Sequence, residues 1–143
     1  MFEGCTNLTT APELPATNLD IYCYSGMFEG CTNLTTAPEL RATELAQYCY
    51  QEMFYGCTSL TTAPELPATT LTPGCYFRMF KDCTDLNSIK CLATSLSASS
   101  CLATWVDNVS PSGTFYAKTG ATWPSNGTSS IPSGWTRVDV ESK

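Results

Sequence analysis

The string MFEGCTNLTTAPEL at Met1 to Leu14 recurs unchanged at Met27 to Leu40, returns as MFYGCTSLTTAPEL at Met53 to Leu66, and decays to MFKDCTDLNSIKCL at Met79 to Leu92. The period is 26 residues and is held three times without an insertion. A strict period in the twenties constrains the fold more than any other feature of this chain, because one such unit cannot bury its apolar face alone and must stack on its neighbours. Stacking turns the repeat into columns of identical side chains. Phe2, Phe28, Phe54 and Phe80 make one column, and Leu8, Leu34, Leu60 and Leu86 a second, both expected in the core. Thr9, Thr35 and Thr61, followed by Thr10, Thr36 and Thr62, are expected to face solvent.

Inside a unit the apolar spacing changes character. Leu45, Cys49, Met53 and Cys57 are four residues apart, with Phe54 beside them, which predicts a short helix over roughly Leu45 to Gly56. Gly4, Gly30 and Gly56 fall where that helix should stop, as a left-handed capping residue would. Leu60, Ala63 and Leu66 then follow at intervals of three through a Thr-rich stretch that Pro64 and Pro67 keep out of helix, predicting a short strand and a turn. A unit of this length with a strand and a helix belongs to the leucine-rich class, and parallel strands joined by crossovers are right-handed. The expected fold class is therefore an α/β repeat, a right-handed leucine-rich-repeat solenoid. Its units are 1–26, 27–52, 53–78 and 79–104, and a small β-rich C-terminal cap follows over 105–143. The cap is read from Thr114 to Ala117, Trp123 and Gly134 to Val140, where the repeat has faded.

The cysteines fall into two columns, Cys5, Cys31, Cys57 and Cys83, and Cys23, Cys49, Cys75 and Cys101, with Cys91 apart. No CxxC pair occurs, so zinc or iron–sulfur ligation is not expected, and neither is any other cofactor. On helical stripes the thiols would lie too far apart to bridge, so they are expected as buried, unpaired core groups. Glu13, Glu39 and Glu65 form an acidic column beside the threonines, read as a solvated edge that ends where the fourth copy has Cys91.

Charge narrows the partners. Lys and Arg number 7 against 13 Asp and Glu, a net charge of −6, so the basic clusters that phosphate contacts require are missing and nucleic acid is not an expected partner. No apolar run approaches the roughly 18 residues of a membrane span, and no membrane insertion is expected. The chain has no His, and nothing resembles a general base set beside a Ser or Thr, so catalysis is not expected.

The unit MFxGCTxLTTAPELPATxL, followed by a CY pair at Cys23-Tyr24, Cys49-Tyr50 and Cys75-Tyr76, resembles the BspA-like leucine-rich repeats of bacterial surface proteins of the gut Bacteroidetes type. The resemblance covers about 104 residues, with a weaker echo in Ser112 to Tyr116 and Ile131 to Trp135. It implies an extracellular or cell-surface module of adhesion or recognition, and it supplies no catalytic residues. The expected function is thus non-enzymatic binding of a protein or glycan through the repeated surface. Thr9, Thr10, Thr35, Thr36, Thr61, Thr62, Glu13, Glu39 and Glu65 are the candidate contacts. The alternative is a structural spacer within a longer fibre, filament or phage tail appendage. The edge of the first unit, headed by Phe2 and Leu8, is expected to meet further repeats upstream of Met1 or to self-associate.

Overall fold

The structure, a computed structural model, describes residues 2–124 and 127–141. Its regular elements are three short strands, β1 (Ser88–Cys91), β2 (Thr114–Lys118) and β3 (Thr136–Val140), which form one parallel sheet in the order β1-β2-β3. Among the described residues there is no helix. The expected α/β leucine-rich-repeat solenoid is overturned by this, and nothing in the architecture supports the leucine-rich-repeat or BspA-like reading. The segments expected as helices are runs of consecutive tight turns. Upstream of β1 the Thr-rich halves make only isolated parallel bridges, Thr10 to Thr36, Thr62 to Ser88, Leu66 to Cys91 and Thr70 to Ser95.

The hydrogen bonds explain why a turn run replaces a helix. From Tyr48 to Cys57, alternate amides close turns on the carbonyl three residues back: Cys49 to Ala46, Gln51 to Tyr48, Met53 to Tyr50, Tyr55 to Glu52 and Cys57 to Phe54. The amides between them donate sideways into the next unit: Tyr48 to Pro73, Tyr50 to Cys75, Glu52 to Phe77, Phe54 to Met79 and Gly56 to Lys81, at 2.8 to 3.1 Å. A helix would spend all of these donors within its own unit, whereas this ribbon ties each unit to its neighbour along the main chain.

Repeated turning requires a left-handed residue at every fourth position. Tyr22, Gly26 and Gly30 have positive φ in one run, Tyr48, Glu52 and Gly56 in the next, and Gly74, Arg78 and Asp82 in the third. Ser100, Thr104 and Asn108 repeat the pattern once more. Eight of the positive-φ residues carry side chains, a conformation that costs about 1 to 2 kcal/mol each for L-residues. The ladder on both sides holds them there. A β-carbon on Gly56 would rest 3.8 Å from Gly30 Cα, an ordinary contact, so only its φ of 77° penalises a side chain. Gly56→Ala is therefore expected to destabilise by about 1 to 2 kcal/mol. Asp82→Gly, at the same place in the following unit with φ 63°, is expected to stabilise by less than that, having lost the Asn108 amide contact to its carboxylate. Urea unfolding of the two variants should move the midpoint in opposite directions.

The core is built from the columns, with its first member open in each. Phe28, Phe54 and Phe80 are fully buried and stack at 5.6 Å, as are Leu34, Leu60 and Leu86, while Phe2 and Leu8 are only partly buried. Cys5 and Cys23, expected as core groups, are exposed, because no preceding unit covers them among the described residues. A third aromatic column, Tyr24, Tyr50, Tyr76 and Trp105, runs parallel to the phenylalanines with ring centroids 5.8 to 6.1 Å apart.

The described residues from Trp105 onward continue the same layering. Phe80 and Asp82 donate sideways to the carbonyls of Trp105 and Asp107, and β2 pairs with β1 at the same 26-residue offset, Ser88 facing Thr114. β3 then follows β2, Thr114 facing Thr136. Trp105, Phe115 and Trp123 close the core over this end, and the Trp105 indole donates to Ser130 O at 2.9 Å. Residues 125, 126, 142 and 143 of the expected cap lie outside the described residues.

Candidate functional site

All nine candidate contact residues are exposed: Thr9, Thr10, Thr35, Thr36, Thr61, Thr62, Glu13, Glu39 and Glu65. Their placement follows from strand alternation. In each unit the threonines precede a residue that turns inward, Ala37 half-buried and Ala63, Ile89 and Phe115 buried in successive units, so their hydroxyls stand on the opposite face. The row extends further than the repeat suggests. Pairing carries the hydroxyl column from Thr62 to Ser88, Thr114 and Thr136.

The face is divided. Thr10 bridges Thr36 and Thr62 bridges Ser88, yet among the described residues no backbone hydrogen bond joins Thr36 to Thr62. A crevice of about 220 Å³ lies there, lined by Thr35, Thr36, Ala37, Thr62, Ala63 and Pro64. A larger hollow, about 490 Å³, opens beside Glu65 and Lys90 and is walled by Thr43, Pro67, Thr69, Leu92 and Glu141. It mixes hydroxyl, carboxylate and ammonium groups with apolar walls, which suits a hydroxyl-rich ligand better than an extended apolar one.

The acidic column is more than a solvated edge. Arg41 stands between two of its members, its guanidinium 3.5 Å from Glu13 and 3.5 Å from Glu39, and Lys90 lies 3.3 Å from Glu65. These are open pairs, worth at most about 1 kcal/mol each, but they offset the repulsion of stacked carboxylates. The column also ends for a different reason than expected. Leu66, not Glu65, faces Cys91, so the fourth unit is one residue short between Ser88 and Cys91 and brings Lys90, not Cys91, beside Glu65. Arg41 was legible in the sequence as one of six differences between the first two units, standing where Pro15 and Pro67 stand in its neighbours. Its pairing across units was not.

The nine cysteines are unbridged, and seven are buried. One column hydrogen-bonds to the main chain: the thiols of Cys31, Cys57 and Cys83 donate to the carbonyls of Phe2, Phe28 and Phe54 at 3.0 to 3.1 Å. Burial pushes Cys49, Cys57, Cys75 and Cys91 up to about 12, with neighbouring thiols adding to the shift at each. These groups stay protonated and inert at neutral pH. Among the described residues no group of three or more thiols or carboxylates gathers to hold a metal ion. No described helix is long and apolar enough to cross a membrane.

Side-chain placement thus brings the threonines and glutamates together on one face and leaves the phenylalanine, leucine and inner cysteine columns behind it. No family model, no curated protein and no solved structure matches this chain.

Proposed function

We propose that the protein is a non-enzymatic recognition or adhesion module that binds a protein or glycan through its repeated hydroxyl and carboxylate face, outside the cell or on its surface. The observation that carries the reading is the continuous exposure of Thr9, Thr10, Thr35, Thr36, Thr61 and Thr62 beside Glu13, Glu39 and Glu65. Periodic donors and acceptors on a rigid support favour periodic ligands, since each successive contact adds at little further entropic cost. The test is binding to immobilised polysaccharides and glycoproteins. A saturable signal that weakens at least tenfold when Thr10→Ala, Thr36→Ala and Thr62→Ala are combined, with unfolding unchanged, is expected. No binding to any member, or equal binding by the variant, would defeat the proposal.

A structural spacer in a longer fibre, filament or phage tail appendage is the second reading, favoured by the sideways main-chain bonds that tie each turn run to the next. Such a spacer would resist pulling along its stacking axis while binding nothing on the array. Both readings admit another chain segment at the first unit's edge, whether further repeats upstream of Met1 or a second copy. Ile21 and Tyr22 are exposed there, and among the described residues the carbonyls of Ile21, Cys23 and Ser25 accept no main-chain bond.

A further inference from the structure

Cys5 is exposed, and the next member of its column, Cys31, lies buried beneath it. One carbonyl measures how close they are. Phe2 O accepts the Cys5 amide at 2.9 Å and the Cys31 thiol at 3.0 Å, so the Cys31 sulfur lies within about 6 Å of the Cys5 nitrogen. The backbones just before them are equally near: a β-carbon built on Gly30 would lie 3.7 Å from Gly4 Cα. That places the two chains at about the 5 Å spacing of neighbouring strands, inside the roughly 4.4 to 6.8 Å Cα separation that a disulfide takes. Absence of helices is what permits this, since helices packed side by side would hold the same residues about 8 to 10 Å apart.

We propose that Cys5 and Cys31 are a redox modification site, joined as a disulfide across the first two units when the protein meets a small-molecule disulfide such as oxidised glutathione. The Cys5 thiolate attacks one sulfur of the glutathione disulfide, forming a mixed disulfide and releasing one glutathione thiolate. Cys31, on losing its proton to solvent, attacks the Cys5 sulfur and expels the second glutathione. Two protein thiols are oxidised and one glutathione disulfide is reduced to two thiols, so atoms and electrons balance.

Several features select this pair. Cys57 and Cys83 stand in the same column but both are buried, so within this column an external disulfide reaches only Cys5, Cys23 being the exposed thiol of the other. Cys31 gives up its hydrogen bond to Phe2 O on bridging, yet that carbonyl keeps the Cys5 amide and is not orphaned. The bridge would pin the open first unit to the second. Burial raises the pKa of Cys31, so the second step is the slow one.

The test uses the full chain, oxidised with glutathione disulfide, blocked with iodoacetamide and digested with trypsin and an aspartate-specific protease. Cleavage before Asp20 and after Arg41 puts Cys5 on residues 1–19 and both Cys23 and Cys31 on residues 20–41, two peptides of different sequence, and fragmentation between Cys23 and Cys31 locates the link. A Cys5 peptide linked to a Cys31 peptide, at a yield independent of protein concentration, is expected, and Cys31→Ser should instead trap Cys5 as its glutathione adduct. Should the Cys31→Ser variant fail to fold, the mapping of the unaltered chain decides alone. Recovery of Cys5 there as a lasting glutathione adduct, as a link to Cys23, or as a link between two Cys5 peptides would overturn the assignment.

Discussion

Phe54→Ala is expected to lower the unfolding free energy by about 3 to 5 kcal/mol, the range for truncating a large buried aromatic. Phe54 has no exposed surface, and its ring is stacked on both sides, against Phe28 at 5.6 Å and against Phe80 at 5.6 Å. Alanine would leave a void bordered above and below by rings that cannot close on it. Their main chains are fixed by the sideways bonds of Phe28 to Met53 and Phe80 to Trp105. Guanidinium unfolding measures the loss. Thr61→Ala, on the exposed face of the same unit, should change stability by no more than about 0.5 kcal/mol. Equal effects at the two sites would mean that inner and outer faces have been interchanged.

Trp105→Ala is expected to cost as much, about 3 to 5 kcal/mol, and to concentrate the damage in one place. This indole is where three aromatic sets meet: the tyrosine column through Tyr76, the phenylalanine column through Phe80, and the end cluster through Phe115 and Trp123. Its truncation also removes the donor to Ser130 O, a buried carbonyl whose replacement partner would have to be water. Hydrogen exchange should show β2 and β3 losing protection while the amides of Tyr50 and Phe54 keep theirs. Uniform loss across the chain would refute a local role for Trp105.

How much of this was legible in the sequence differs between the two halves of the unit. Columns followed from the period alone, and burial of Phe28, Phe54, Leu34 and Leu60 agrees with them. The helix did not follow, and the residues carried a warning. Leu45, Cys49, Met53 and Cys57 keep a spacing of four without a single step of three. At about 3.6 residues per turn, three steps of four walk some 120° around a helix, too far for one stripe. A turn repeated every four residues keeps the same positions aligned indefinitely. What sequence patterning lacks is any mark of the left-handed backbone when the residue is Tyr48, Glu52 or Arg78 rather than glycine. In these runs glycine marks it only at Gly4, Gly26, Gly30, Gly56 and Gly74, and the repeated column Gly4, Gly30 and Gly56 fits a helix cap equally well.

On the candidate face, exposure of the threonines was readable, because β-branched hydroxyl residues before an apolar inward position suit a strand edge. Its extension beyond Ser88 to Thr114 and Thr136 was not, since the sequence around β2 and β3 shares no repeat with the earlier units. Nor was the crevice between Thr36 and Thr62. Those two threonines sit in nearly identical local sequences, and only the pairing of their neighbours separates them.

The alternation of amide directions also sets a rule of arithmetic for how such a chain can change length. Sideways donors fall on even-numbered residues in every run, at Tyr22 to Gly30, Tyr48 to Gly56 and Gly74 to Asp82, because the unit length of 26 is an even number. A single residue inserted into a turn run would hand the sideways role to the amides that now close turns, and would break the ladder to both neighbours. The extended half obeys no such parity: the fourth unit drops one residue between Ser88 and Cys91, and Gly74 bonds to Ser99 in the restored register. Point insertions and deletions are thus survivable on the threonine side alone, and elsewhere a change of one residue breaks the ladder while a change of a whole copy preserves it.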